Sequence, residues 1–255
     1  MARVETFPTA AAAASRAAEK IAALLRRKPR ATLLLAAGKT MQPVYRRLAG
    51  LHGEGRAPFR RAVTFNLDEL AVPPQDPRSF RSFMERRLFS KVDLPAGSIH
   101  FLRGDAPDPS RECARYEEEL ARLGPPDLAL VGIGSNGHVA YLEPGPSLPP
   151  RTSRVRLSAG TRRGLAADGV RPVPREALTT GIESILAARA VLLVATGGSK
   201  AQAVAAALRG PVTARCPASF LTLHPGLRVV LDAAAAAEIG SGSRARRFTL
   251  STRPR

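Results

Sequence analysis

Five short apolar runs alternate with segments of helical periodicity, and this alternation limits the fold more than any other feature of the chain. Each run is mostly apolar, and the first of them is suited to a strand that is buried on both faces of a parallel sheet. The runs are Ala31–Ala37, Ala62–Leu67, Leu128–Ile133, Ala190–Ala195 and Leu227–Asp232. The alternation predicts one α/β domain with a Rossmann-like, doubly wound, largely parallel sheet and helices on both faces. We expect the domain to span residues 1–240, and a loosely ordered basic tail to span residues 241–255.

Two helices have clear start signals. Residues 9–27 show an amphipathic pattern that begins after Thr9, a residue type that favours the N-cap position. A second helix is predicted over Pro109–Leu123, with its N-cap left open between Asp108 and Ser110.

The formal net charge of +18 at pH 7 bears on the choice of partner. A protein this basic can bind nucleic acid. However, the basic residues are spread along nearly every segment, and aromatic residues make up only 5% of the chain, which disfavours a base-stacking surface. We therefore expect a solvated, arginine-rich surface that attracts an anionic substrate. A nucleic-acid partner is not predicted, although incidental RNA binding stays open.

The cysteines and the apolar runs bear on location. Cys113 and Cys216 are far apart and lack the spacing of a metal or redox motif, which favours a reducing, cytoplasmic setting. No apolar run approaches the roughly 18 residues of a membrane helix, so no membrane partner is predicted. The sequence leaves open whether the chain forms a homo-oligomer.

The stretch that leaves the third run, Gly132–Gly145, reads G-I-G-S-N-G-H-V-A-Y-L-E-P-G. Its glycines allow a sharp turn close to a ligand, and loops beyond the carboxyl ends of such strands bind ligands. Glu143 follows His138 by five residues, which suits proton transfer by an imidazole that a carboxylate orients. A tight turn with a surface histidine is the alternative. A dinucleotide site is disfavoured, because arginines occupy the region where an acidic residue is needed about 20 positions on.

Two other runs end in a glycine turn followed by a helical segment, an arrangement whose backbone N–H groups can bind an anion. The first turn contains Gly38, Lys39 and Thr40, and the second is Thr196–Lys200. Because a cation at a helix N-terminus is mildly unfavourable, Lys200 indicates an anionic ligand. The second turn lacks the spacing of a nucleotide P-loop, so ATP is not predicted. An ordinary strand-to-helix turn is the alternative at each place.

Taken together, four segments resemble those of the glucosamine-6-phosphate deaminases. Gly132–Gly145 is similar to their G-x-G-x-[DN]-G-H-[IV]-[AG]-F-N-E-P motif. Phe65–Glu69 is similar to F-N-[LM]-D-E, Ser79–Met84 to S-[YF]-x-x-F-M, and Ala177–Ile182 to A-[IL]-T-x-G-[IV]. The resemblance covers residues 30–232, and it implies that a sugar phosphate is the partner. The implied reaction converts glucosamine 6-phosphate and water to fructose 6-phosphate and ammonia, with no metal or organic cofactor.

The resemblance also implies roles for particular residues. Asp68 would take the C2 proton of the sugar and return it at C1, although adjacent carboxylates at a strand end are more often a cap or an ion pair. His138, oriented by Glu143, would move a proton between O1 and the ring oxygen, and Asn136 belongs to the same catalytic loop. The residues implied to bind the phosphate are Gly38, Lys39, Thr40, Arg162 and Lys200. Arg163 is the alternative to Arg162 as the arginine that binds the phosphate.

Several positions depart from the family pattern. Lys39 and Met41 stand where the phosphate loop usually has glycine and proline, and Leu142 replaces the usual asparagine. Asn136 stands where many members have aspartate, and an amide keeps the hydrogen bonding but cannot act as a base.

Three further functions compete with the deaminase. A 6-phosphogluconolactonase would share the fold and phosphate sites, but it would lack a glutamate in the position of Glu143 and would usually have arginine at the position of Leu70. The deaminase is therefore favoured. The second competitor is a non-catalytic sugar-phosphate sensor, and the third is a nucleic-acid-binding protein. Release of ammonia from glucosamine 6-phosphate would distinguish the deaminase from all three.

Overall fold

The computed structural model describes residues 2–239, which form ten β-strands and seven α-helices joined by loops and short 3-10 turns. The strands are β1 (Arg3–Phe7), β2 (Thr32–Leu35), β3 (Val63–Asn66), β4 (Asp68–Leu70), β5 (Ile99–His100), β6 (Leu128–Val131), β7 (Ser153–Arg156), β8 (Glu176–Thr179), β9 (Val191–Ala195) and β10 (Leu227–Asp232). The helices are α1 (Ala10–Arg27), α2 (Gln42–Gly53), α3 (Phe80–Arg87), α4 (Pro109–Leu123), α5 (Ala159–Ala167), α6 (Ile182–Leu186) and α7 (Ala201–Arg209).

Seven strands form a parallel sheet in the order β1-β10-β9-β6-β2-β3-β5. The five apolar runs of the sequence become β2, β3, β6, β9 and β10, so the predicted parallel α/β architecture is confirmed. β1 was not predicted, because its sequence, Arg3–Phe7, mixes charged and apolar residues and it lies at the edge of the sheet. An edge strand is covered less than a central one, so it does not need a continuous apolar run.

Both predicted helices are confirmed. The structure also decides between Asp108 and Ser110 as the N-cap of the second helix. The Thr9 Oγ1 atom accepts a hydrogen bond of 3.2 Å from the amide of Ala12 at the start of α1. At the start of α4 the cap is Asp108, whose Oδ1 atom accepts from the amides of Ser110 and Arg111 at 2.9 and 3.0 Å. Each cap satisfies N–H groups that have no partner within the helix.

A second, three-stranded antiparallel sheet, in the order β4-β8-β7, was not predicted. The chain passes from the large sheet to the small one at Leu67. Its amide donates to the Leu35 carbonyl at the end of β2 (2.9 Å), and its own carbonyl accepts from the Thr180 amide after β8 (2.7 Å). The small sheet has its own cluster of buried side chains, Leu70, Val72, Tyr141, Leu157 and Ala177. Leu67 is therefore the single residue between the end of β3, in the large sheet, and the start of β4, in the small sheet.

The expectation of a loosely ordered tail over residues 241–255 lies outside the described residues. Within residues 2–239, none of the helices combines the length and the apolar composition needed to cross a membrane.

Candidate active site

A cleft of about 970 Å³ opens beyond the carboxyl ends of β2, β6 and β9. Of the nine residues predicted to be catalytic or to bind the phosphate, seven line it: Gly38, Lys39, Thr40, Asp68, Asn136, His138 and Lys200. The loops after three neighbouring strands meet there because the carboxyl ends of parallel strands lie at the same edge of the sheet. Asp68 reaches the cleft from the small sheet instead, since it is the first residue of β4.

Glu143 does not line the cleft but lies behind His138, and it connects the catalytic loop to α5. Its Oε2 atom is 3.8 Å from His138 Nδ1 and accepts a hydrogen bond from Asn136 Nδ2 at 2.9 Å. Its Oε1 atom accepts a hydrogen bond from the Thr161 hydroxyl. Among the described residues, the buried Nδ1 atom of His138 has no hydrogen-bond partner. The carboxylate is thus close enough to attract a proton on the imidazole, and it is fixed by other donors.

The imidazole of His138 packs directly on the turn that precedes it. A Cβ atom at Gly134 would lie 2.3 Å from His138 Cε1, which is closer than any side chain tolerates, so only glycine fits there. Burial lowers the pKa of His138; the Glu143 carboxylate opposes this shift and Lys200 adds to it. A neutral imidazole that can accept a proton is the result.

Asp68 is only 7% exposed. Within residues 2–239 its carboxyl group makes no side-chain hydrogen bond, although it lines the cleft. Burial, and then the charge of Glu69, raise the pKa of Asp68 to about 8. A carboxyl group whose pKa lies near neutrality is suited to take a proton and return it.

Glu69 faces away from the cleft and holds the start of α3. Its carboxylate accepts hydrogen bonds from the Ser79 hydroxyl (2.8 Å) and from the amides of Leu70, Phe80 and Arg81 (2.8, 2.7 and 2.9 Å). Burial raises the pKa of Glu69 to about 7, against the effect of these donors. Of the two adjacent carboxylates, one is therefore a helix cap and the other is free for chemistry.

The two glycine turns have the same local form. Gly38 has φ +112° and Gly197 has φ +90°, and each is followed by a short 3-10 turn that leads into a helix. The Lys39 Nζ atom lies 2.5 Å from Asp168 Oδ1, and 60% of the Lys39 side chain is exposed. Lys200 has no ion-pair partner among the described residues, and burial lowers its pKa while Asp168 opposes this shift. Of the two lysines in these turns, Lys200 is thus partly buried without an ion-pair partner among the described residues, and Lys39 is paired with a carboxylate.

Arg162 does not line the cleft, whereas its neighbour Arg163 does. The Nε atom of Arg162 is buried, and it has no hydrogen-bond partner in the part of the chain that the structure describes. Adjacent residues of a helix such as α5 point in different directions, which the sequence did not resolve. Contact between Arg162 and a phosphate stays a prediction, and Arg163 is the arginine of the pair that faces the cleft.

Several cleft residues were not named from the sequence. The segment before and within α3 contributes a wall of aromatic and basic side chains, and the loop after α5 contributes another arginine. These residues are Arg78, Phe80, Phe83, Arg86, Arg87 and Arg171. The signal that could have found Phe80 and Phe83 is the S-[YF]-x-x-F-M resemblance, which did not indicate which side chains face a ligand. No group of three or more His, Cys, Asp or Glu residues that could hold a metal ion occurs within residues 2–239.

The sequence matches a known family over most of its length. The model of the family described as glucosamine-6-phosphate isomerases/6-phosphogluconolactonase matches residues 6–230. Glucosamine-6-phosphate deaminase 1 of Giardia intestinalis is 45% identical over 222 residues, which cover 84% of this chain and 82% of that protein. The glucosamine-6-phosphate deaminase of Arthrobacter sp. (strain FB24) is 42% identical over 88% of this chain and 87% of its own length.

Solved structures agree with these matches. A monomeric glucosamine-6-phosphate deaminase superposes with a TM-score of 0.89 at 37% identity, covering 92% of this chain and 99% of that one. A 6-phosphogluconolactonase of Thermotoga maritima gives a TM-score of 0.72 at 25% identity, covering 91% of this chain and 99% of that one. The chain belongs to the glucosamine-6-phosphate isomerase/6-phosphogluconolactonase family.

Proposed function

We propose that the protein is a glucosamine-6-phosphate deaminase, which converts glucosamine 6-phosphate and water to fructose 6-phosphate and ammonia. The observation that carries this proposal is that one cleft is lined both by Asp68, a buried and unpaired carboxyl group, and by His138, whose imidazole has the Glu143 carboxylate behind it. Relatives named as deaminases, at 45% and 42% identity, support it.

Ring opening is the first step that the cleft residues would perform. The neutral imidazole of His138 takes the proton of the O1 hydroxyl and delivers a proton to the ring oxygen, so that the C1–O5 bond breaks and an aldehyde forms. The Glu143 carboxylate, 3.8 Å from Nδ1, stabilises the imidazolium while it carries the proton. Asn136 holds that carboxylate through its amide and takes no proton itself.

Proton transfer from C2 to C1 is the second step. Asp68 must be ionised to take the C2 proton, and the ammonium group of the substrate favours the carboxylate form through its positive charge. The electron pair left at C2 forms a C1–C2 double bond while the C1–O1 double bond breaks, and O1 takes up the proton that the ammonium group of the substrate gives up. Asp68 then returns the C2 proton at C1 as the nitrogen lone pair forms the C2–N double bond. The nitrogen at C2 becomes an iminium group, water adds to it, and ammonia leaves with formation of the C2 ketone.

The phosphate would be bound at the other side of the cleft. The backbone N–H groups after Gly38 and the side chains of Thr40, Lys39 and Lys200 are the donors, with Arg163 or Arg162 as the arginine. Binding at this end fixes the distance of C1 and C2 from the catalytic groups, so that binding energy is used for orientation.

The lactonase is the competing function within the family. Glu143 supports the deaminase because a lactone hydrolysis does not need a carboxylate that charges the histidine for ring opening. Both cysteines, Cys113 and Cys216, are free and buried, which is consistent with the proposed cytoplasmic setting.

The test is an assay of the purified protein with glucosamine 6-phosphate, in which ammonia and fructose 6-phosphate are measured separately. Equal amounts of the two products are expected. A parallel assay with 6-phosphogluconolactone measures acid release above the spontaneous rate. Lactone hydrolysis without ammonia would replace this proposal by the lactonase, and the absence of both activities would favour a non-catalytic sensor.

A further inference from the structure

One of the three tyrosines differs from the other two in its hydroxyl group. The hydroxyl groups of Tyr45 and Tyr116 donate hydrogen bonds to the backbone carbonyls of Ala36 and Asn66. The Tyr141 hydroxyl has no hydrogen-bond partner within residues 2–239, although the residue is only 5% exposed and lines the cleft. The Tyr141 hydroxyl is not among the buried polar atoms without a partner in the described residues, so it opens onto the cleft and is available to a ligand.

The ring of Tyr141 is held in place by its surroundings. It stacks on Phe80 with ring centroids 5.9 Å apart and an interplanar angle of 16°. Its backbone amide donates to the Thr179 hydroxyl at 3.1 Å, which ties it to the end of β8. A rigid aromatic side chain loses little conformational entropy when its hydroxyl binds a ligand.

The charged groups that act on this phenol are carboxylates. Asp68, Glu69, Glu143 and Asp168 all raise its pKa, after burial as the first cause. The phenol therefore stays protonated. Tyr141 lies near Asp68 because Thr179, whose hydroxyl accepts a hydrogen bond from the Tyr141 backbone amide, is the residue opposite Asp68 in the pairing of β4 with β8. A neutral donor in such a place suits a hydroxyl group of the sugar better than the dianionic phosphate, which carboxylates repel.

A departure from the deaminase motif coincides with this unpaired hydroxyl. Tyr141 occupies the position at which the motif has phenylalanine, so the hydroxyl is an addition of this chain to the ring that the motif already specifies. Leu142 beside it replaces the asparagine of the motif and is fully buried. The chain thus loses a polar side chain at one position and gains one at the neighbouring position.

We propose that Tyr141 is a specificity-determining residue whose hydroxyl group donates a hydrogen bond to a sugar hydroxyl of the substrate, next to Asp68 and away from the phosphate. The inference rests on the proposed function, because it takes the sugar phosphate as the ligand of the cleft. It adds a contact that the phosphate loops and the catalytic groups do not supply.

The test compares wild type with Tyr141→Phe, which restores the residue of the motif. For glucosamine 6-phosphate we expect KM to rise about three- to tenfold with kcat changed by less than about twofold, as for loss of one neutral hydrogen bond. Competitive inhibition by inorganic phosphate should be unchanged. The melting temperature should stay the same or rise, because the substitution removes an unpaired hydroxyl group.

Tyr116→Phe is the matched control, because Tyr116 is fully buried, its hydroxyl is paired with Asn66, and it does not line the cleft. It should lower the melting temperature and leave KM unchanged, the opposite pattern. If Tyr141→Phe left KM unchanged while wild type turned over normally, the inference would be overturned and the proposed function would stand. If Tyr141→Phe weakened the inhibition by inorganic phosphate as much as it raised KM, the assignment of the hydroxyl to the sugar would be overturned. A wild-type protein that neither turned over nor bound the sugar phosphate would overturn both proposals.

Discussion

The two sheets contribute different chemistry to the cleft. The large parallel sheet contributes loops that end strands and begin helices, and these loops carry backbone N–H groups, a histidine and a lysine. The small antiparallel sheet contributes Asp68 at the start of β4, and its own buried cluster includes Tyr141. The large sheet therefore presents donors and cations, whereas the side of the cleft next to the small sheet holds a largely buried carboxyl group and phenol.

This division has an electrostatic consequence. Anions bind well where helix N-termini and cations point at them, as after β2 and β9. Burial raises the pKa of a carboxyl group and so makes its carboxylate form a stronger base, as we propose for Asp68. Separate sheets allow both conditions to hold within one cleft. We therefore expect substitutions on the small sheet to affect the chemical step and substitutions on the large sheet's loops to affect binding as well.

Asp68→Asn should have the largest effect. We expect kcat to fall about 10²–10⁴-fold, because the base is lost, while binding of the sugar phosphate is kept. Binding can be measured by calorimetry and turnover by ammonia release. The melting temperature should change little, since the free carboxyl group is already neutral at neutral pH.

Asp127→Asn is the control for that substitution. Asp127 is also buried, but it lies before β6, at the opposite end of the strands, where it pairs with Lys28 (2.6 Å) and accepts from the Thr32 amide (3.0 Å). It should lower the melting temperature and leave kcat unchanged. Undiminished turnover in Asp68→Asn would show that the base lies elsewhere.

His138→Ala should have the next largest effect, about 10²-fold on turnover of the cyclic sugar. Because the imidazole acts in ring opening, the loss should be smaller with a substrate that is presented in the open-chain form. Phosphate binding should persist, since the loops after β2 and β9 are unchanged. An equal loss with both substrate forms would contradict the assigned role.

The pH dependence of kcat/KM tests the environment of Asp68. The raised pKa means that the free protein holds this group protonated below a pH of about 8, so the active carboxylate form increases with pH up to that value. We expect kcat/KM to fall about tenfold per pH unit below it and to level off above it. The fall should disappear in Asp68→Asn, whose residual activity has no such base. A flat profile in wild type would contradict the raised pKa.

Asp168→Asn should have the smallest effect. Asp168 pairs with Lys39 and therefore competes with a phosphate for that lysine. Because the pair is partly exposed, it is worth little, and we expect KM to fall about two- to fivefold with kcat unchanged. Lys39→Gly restores the usual loop residue. In a variant that already carries Lys39→Gly, Asp168→Asn should have no further effect on KM. A rise of KM in Asp168→Asn would show that the carboxylate aids binding instead.

The large sheet and its loops could be predicted because their signals are local. A buried parallel strand such as β9 is a continuous apolar run, and Gly38 and Gly134 mark turns that only glycine accommodates. The resemblance then placed Asp68 and His138 in one cleft, which the fold brings together.

The small sheet could not be predicted because its signals depend on tertiary contacts. β4 has three residues, and β7 alternates half-buried and exposed side chains with arginine at two of four positions. Such segments become strands only by pairing with β8, which is distant in sequence. For the same reason the sequence did not tell which of Arg162 and Arg163 faces the cleft, or that the Tyr141 hydroxyl lacks a partner.

The passage of the chain at Leu67 joins the two sheets through a single residue. Its amide bonds to the large sheet, and its carbonyl accepts both the amide and the hydroxyl of Thr180 from the segment that follows the small one. Asp68 follows Leu67 directly in the small sheet. A shift of the small sheet relative to the large one would therefore move the Asp68 carboxyl group relative to His138. We expect that loosening of this junction would impair the proton transfer assigned to Asp68 and leave the phosphate loops after β2 and β9 intact.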